Sequence, residues 1–193
     1  MKPYKILITG SFCSGKSTLV NALASHLENV YVIPEVTREV LALYGKVDWS
    51  LPELRDYILI KQLIEEEKAM KSNAKYIIVD SGIVSFLAHD RVLLPGDNHR
   101  QDMLAYFHHT PYDLVFVCDH NEVAIDDDGE RYTNEKLQDE IYKRILSILS
   151  AAKSKYIMLK GSVLERVKKV VEYADIKLSL IHISEPTRPE PIS

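Results

Sequence analysis

Five short apolar runs, at residues 4–9, 30–33, 76–79, 114–118 and 156–159, recur along the chain with longer patterned segments between them. Within each run apolar residues follow one another rather than alternate with polar ones, as in strands of a parallel sheet covered on both faces. After the first run Leu19, Val20, Leu23, Ala24 and Leu27 recur at helical spacing. A second helix, entered at Ser50, is expected from Pro52 to Lys71, with Leu54, Tyr57, Ile58, Lys61, Leu63 and Ile64 along it. Its end, Glu65, Glu66, Glu67 and Lys68, reads as a solvated charged face. A third helix follows Thr133, with Leu137, Ile141, Ile145 and Leu149 on one side, and a last one spans 162–173.

Strands alternating with helices predict an α/β domain of three layers around a mostly parallel five-stranded sheet. One domain over residues 1–175 accounts for these elements, with no internal repeat and no linker. Residues 176–193 are expected to be a disordered or artefactual tail, because residues 178–193 carry three prolines and no period. The string from Ser179 to Pro189 also resembles translated sequencing-adapter read-through.

The segment joining the first run to the first helical pattern carries the chemistry. Gly10-Ser11-Phe12-Cys13-Ser14-Gly15-Lys16-Ser17 fits G-x-x-x-x-G-K-[ST] at every fixed position, with Thr18 following. A loop that leaves a strand and opens a helix gathers backbone N–H groups and the positive helix end on one point, where phosphate oxygens bind. Lys16 is expected to reach the β- and γ-phosphates of ATP and Ser17 to ligate Mg²⁺. A P-loop NTPase or kinase fold follows. Cys13, inside the loop, reads as a small filler residue.

Three strand ends supply further candidates. Ile77-Ile78-Val79-Asp80 delivers a carboxylate to the edge where the loop opens, so Asp80 is a candidate Mg²⁺ ligand in the Walker B manner. Pro34-Glu35 and Arg38 follow the second run; Glu35 can take the proton of an attacking hydroxyl while Arg38 pairs with an anionic group. Alternatively Glu35, Arg38 and Glu39 merely charge the first turns of a solvated helix. After the fourth run, Asp126-Asp127-Asp128-Gly129-Glu130-Arg131 reads either as a solvated acidic loop or as a lid whose Arg131 closes over the transferring phosphoryl group.

Other readings are excluded by position. Asp126 to Gly129 spells D-x-x-G after the wrong strand, and Asn134-Glu135-Lys136-Leu137 is not the Asn-Lys-x-Asp element that reads guanine. An EF-hand would place Ala124 at a ligand position, and His108-His109 has no third ligand at metal spacing. A net charge of -4 provides no basic footprint for polymeric nucleic acid. The two cysteines, Cys13 and Cys118, lack paired spacing, and no segment approaches a membrane span, so a cytoplasmic protein with reduced thiols is expected.

In order along the chain, the phosphate loop, Pro34-Glu35-x-x-Arg38-Glu39, Val79-Asp80, Tyr112-Asp113-Leu114-Val115-Phe116 and Asp127-Asp128-Gly129-Glu130-Arg131 resemble the NadR-like AAA-type P-loop ATP-binding domain, nicotinamide riboside kinase-like in activity. Asp80 is followed here by Ser81-Gly82, where that family tends to carry a second carboxylate. The resemblance implies ATP, Mg²⁺ and a small nucleoside-like phosphoryl acceptor. Two alternatives stand beside it. One is a deoxynucleoside or nucleotide kinase: a nucleoside kinase often has arginine where Ser81 stands, and a nucleoside monophosphate kinase would place several arginines about the acceptor phosphate, for which Arg91 and Arg100 are available. A switch ATPase would act through a protein partner instead of a small acceptor.

Overall fold

The computed structural model describes residues 2–45, 48, 51–93, 107, 111–121 and 134–184. Five strands, β1 Tyr4–Thr9, β2 Val30–Ile33, β3 Tyr76–Asp80, β4 Leu114–Cys118 and β5 Ile157–Leu159, form one sheet in the order β2-β3-β1-β4-β5. Every pairing is parallel, with Ile8 of β1 opposite Asp80 of β3 and Phe116 of β4. The helices set out among the described residues are α1 Lys16–His26, α2 Val36–Tyr44, α3 Pro52–Met70, α4 Gly82–Leu93, α5 Glu135–Ala151 and α6 Val163–Ser184.

Alternate strand residues feed two cores. Leu7, Ile77, Val79, Val115 and Val117 pack against Ile83, Val84 and Leu87 of α4 and Ile141, Ile145, Ile148 and Leu149 of α5. Ile6, Ile8, Ile78, Leu114 and Phe116 face the opposite way, onto Leu19, Val20 and Leu23 of α1 and Val167 and Val170 of α6. This is the three-layer arrangement expected of strands that are apolar throughout, since each face buries its own set of side chains. Parallel strands point their carboxyl ends at one edge, which brings the ends of β1, β2, β3 and β4 together there.

Three segments depart from the pattern read in the sequence. Helix α4 was not expected, because Gly82–Leu93 is apolar on several sides and its period is blurred; it lies in the core, where such a helix is stable. Helix α6 continues through Ser184 instead of ending at 173, overlapping the segment set apart as a tail, and stops two residues before Pro186, whose ring disfavours helix in the residue ahead of it. Residues 185–193 lie outside the described residues.

The third departure is α3, whose buried face is largely polar. Arg55, Gln62 and Glu66 are buried alongside Ile58 and Ala69, whereas Tyr57, Ile60 and Ile64 are exposed. Glu66 is therefore no part of a solvated face. It accepts from Lys5 Nζ at 2.6 Å, Gln62 Nε2 at 2.8 Å and Tyr112 Oη at 2.8 Å, and Lys5 also lies over the Tyr112 ring. A buried charge is tolerable when an opposite charge and hydrogen bonds replace its water, as here.

Candidate functional site

The loop after β1 curls back on itself before α1 begins. Gly10 starts the curl at φ 150°, and a Cβ there would meet the Cys118 carbonyl oxygen at 2.9 Å, so no larger residue fits between the loop and β4. Gly15, at φ 78°, is the N-cap of α1 and offers no side-chain cap. The first N–H groups of α1 are thus left for an anion instead of being satisfied by a capping side chain. Lys16 folds over the loop, its Nζ donating to the Ser11 carbonyl at 2.7 Å, which the Ser14 hydroxyl also reaches at 2.8 Å.

The end of β3 stands against this loop because β3 pairs directly with β1. Ser17 Oγ donates to Asp80 Oδ2 at 2.8 Å, and Ser81 Oγ lies 3.3 Å from Oδ1. Burial pushes the Asp80 carboxyl above its ordinary value; Lys16 pulls it down and the charge of Glu35 adds to the rise. A carboxylate next to a hydroxyl is the donor set of a hard cation. Mg²⁺ fits it, since that ion takes one or two protein oxygens and completes its shell with phosphates and water.

Glu35 is the N-cap residue of α2 and pairs with Arg38, Nε to Oε2 at 3.1 Å, one turn along. The pair stands over a cavity of about 450 Å³ that opens between the loop and helices α2, α3 and α4. Its walls include Phe12 through Thr18, Glu35, Arg38, Asp80 and Ser81, together with Arg55, Gln62, Phe86, His89 and Asp90 of α3 and α4. The structure thus brings together Lys16, Ser17, Glu35, Arg38 and Asp80, with Gly10 and Ser11 forming the start of the same loop. Arg131 and the loop at 126–131 lie outside the described residues, as do His108, His109 and Arg100.

Sequence reasoning missed the α3 and α4 lining of the cavity. Arg55 of α3 and Asp90 of α4, 35 positions apart in sequence, form a buried pair, Nη1 to Oδ1 at 3.0 Å. His89 Nδ1 lies 2.7 Å from the Ser85 carbonyl oxygen, which can only accept, so Nδ1 carries the proton. Burial lowers the pKa of His89 and the Lys16 charge lowers it further, against the rise due to the Ser85 bond and Glu35. In the neutral ring Nε2 is then an acceptor. Arg55 and Gln62 stand in the sequence as polar positions of a helical pattern, which ordinarily mark a solvated face, and His89 and Asp90 fall in a segment whose period is blurred.

Comparison with known proteins bears on the family and the fold. A family model described as AAA domain matches residues 5–166. No curated protein sequence matches the chain. A NadR protein solved in complex with NAD and AMP-PNP superposes with a TM-score of 0.74 at 17% identity, over 99% of this chain and 52% of that one. A NadR protein in complex with NR gives a TM-score of 0.73 at 20% identity, over 90% and 52%. Thymidylate kinase from Candida albicans gives 0.66 at 17% identity, over 91% and 92%. The chain spans about half the length of the NadR proteins it matches. At these identities the likeness shows the fold, that of the P-loop kinases.

Proposed function

The chain belongs to the AAA domain family, a P-loop phosphotransferase or ATPase by fold and motif, and on that premise we propose that it transfers a phosphoryl group from Mg²⁺-ATP to a hydroxyl of a small nucleoside-like metabolite. The observation that carries the proposal is the cavity, which does not stop at the phosphate loop. Its lining also takes in Arg55, Gln62, Phe86, His89 and Asp90 from α3 and α4, and about 450 Å³ lies within the range of small-molecule sites. A switch ATPase has no use for such an acceptor chamber. The NadR-like resemblance makes a nicotinamide riboside-like nucleoside the leading acceptor.

Within this reading Lys16 and the loop N–H groups hold the β- and γ-phosphates, and Ser17 and Asp80 would hold the metal. Bound Mg²⁺ neutralises charge on the phosphate oxygens. Glu35 takes the proton of the acceptor hydroxyl as its oxygen bonds to the γ-phosphorus and ADP departs, while Arg38 keeps the Glu35 carboxylate in place through their ion pair. His89 and Gln62 offer an acceptor and an amide to the polar edge of the acceptor, with Phe86 beside its ring. Positioning and preorganised charge carry most of the catalysis in such a transfer.

The test is direct. The protein is incubated with Mg²⁺-ATP and a panel of nicotinamide riboside, ribonucleosides, deoxynucleosides and their monophosphates, and products are identified by mass. A nucleoside gaining one phosphoryl group is the expected result. ATP hydrolysis alone, across the whole panel, would replace the kinase with a switch ATPase, and phosphorylation of a monophosphate would make it a nucleotide kinase.

A further inference from the structure

Two buried side chains from the far end of the sequence hold the phosphate loop by its carbonyl groups. Gln138, in the first turn of α5, is 3% exposed and donates through Nε2 to the Phe12 carbonyl at 2.8 Å. Arg166, in the first turn of α6, is 2% exposed and donates to three backbone carbonyls, those of Ser14 at 2.7 Å, Asp119 at 3.1 Å and Gly161 at 2.9 Å. It thereby joins the loop to the ends of β4 and β5. Neither Gln138 nor Arg166 lines the cavity, and neither belongs to the loop motif.

The consequence follows from peptide geometry. In a trans peptide the carbonyl of one residue and the N–H of the next point in opposite directions, and no cis peptide occurs among the described residues. Holding the Phe12 carbonyl down towards α5 turns the Cys13 N–H the other way, and holding the Ser14 carbonyl towards α6 does the same for the Gly15 N–H. Cys13, Ser14 and Gly15 line the cavity, and Cys13 and Gly15 have positive φ, 52° and 78°, as in the N–H concavities that bind anions. Cys13 is not glycine, so its left-handed backbone is strained and persists only where the surroundings hold it.

We infer that Gln138 and Arg166 are positioning residues that preform the phosphate nest, fixing the Phe12–Cys13 and Ser14–Gly15 peptide planes with their N–H groups towards the phosphates. An unheld loop would reorganise each time nucleotide binds and would forfeit part of the binding energy. Arg166 adds a second effect, a buried positive charge behind the loop. The inference rests on nucleotide binding by the loop and not on the identity of the acceptor, so a chain that binds ATP and phosphorylates no metabolite leaves it standing.

The experiment uses the full chain with Gln138→Met, Gln138→Glu and Arg166→Lys. Binding of inorganic triphosphate, ATP and adenosine is measured by calorimetry, alongside thermal melting. Each variant is expected to weaken triphosphate and ATP by about tenfold, the worth of one hydrogen bond, with adenosine affinity unchanged and kcat at saturating ATP reduced less than ATP affinity. Gln138→Met keeps the volume and removes the donor, so it decides the matter if Arg166→Lys fails to fold. Parent-like triphosphate affinity in a folded Gln138→Met protein overturns the inference, and so does an equal loss for adenosine, which would mark a general structural role.

Discussion

Ser17 Oγ donates a 2.8 Å hydrogen bond to Asp80 Oδ2, joining the first turn of α1 to the end of β3 across 63 residues of sequence. The bond exists because β1 and β3 are parallel neighbours, which sets the phosphate loop beside the carboxylate at the same sheet edge. Around it the charges of Lys16 and Glu35 act on Asp80 with opposite sign. Four predictions start from this cluster and the groups packed against it.

Lys16→Ala removes the cation that folds over the loop. Acceptor-dependent ADP release should fall by roughly 10²–10³-fold in kcat/KM, with the fold retained. Coupled-enzyme kinetics and far-ultraviolet circular dichroism check both parts, and a folded variant of undiminished activity would remove Lys16 from the mechanism.

Asp80→Asn separates stability from function. The folded state raises the Asp80 pKa above its ordinary value, chiefly through burial, so the ionised form disfavours the fold at pH values above that raised pKa. The penalty fades only as the pH falls through it. At neutral pH the amide should therefore melt at a higher temperature than the ligand-free parent while losing Mg²⁺-dependent transfer. A lower melting temperature would show that Lys16 outweighs the cost of burial.

The buried pair between α3 and α4 predicts a non-additive series. Asp90→Ala removes the carboxylate that faces the buried Arg55 guanidinium and should cost about 3–5 kcal/mol in urea unfolding. Arg55→Met combined with Asp90→Leu removes both charges and should cost less than Asp90→Ala alone. Equal and additive losses would mean that the pair contributes nothing as a pair.

His89 gives the fold an acid-sensitive component. Its folded pKa lies below the ordinary 6.5, chiefly through burial, so below pH 6.5 the unfolded chain takes up a proton that the folded one resists. That contribution is complete above 6.5 and is lost as the pH falls towards the lowered value. Comparing urea midpoints at about pH 7.5 and about pH 5.5, the parent should lose more stability than His89→Gln. Parallel behaviour of the two proteins would place the acid sensitivity elsewhere.

The phosphate loop and the five strands were legible because each is local. A run of apolar residues reports burial on both faces, and the glycines, lysine and serine of the loop stand at fixed spacing whatever surrounds them. Asp80, Glu35 and Arg38 were legible as candidates, since residues at strand ends of a parallel sheet share one edge; their meeting at one cavity needed the strand order. Helix α4 was hidden by its all-round apolarity, and α3 misled because its buried face carries Arg55, Gln62 and Glu66 while Tyr57, Ile60 and Ile64 face outward. Polar residues can line a buried face where each finds a partner there, as Glu66 does with Lys5, Gln62 and Tyr112.

By itself the sequence determined the layer architecture, the phosphate loop and the residues at its strand ends, because periodicity and motif spacing act over a few residues. The tertiary structure alone decided the α3 and α4 lining of the cavity and the support beneath the loop. Gln138 reaches Phe12 across 126 residues and Arg166 reaches Ser14 across 152. No local pattern marks such partners. A buried donor must find an acceptor, but which one it finds is settled only when the sheet order sets α5 and α6 under the loop.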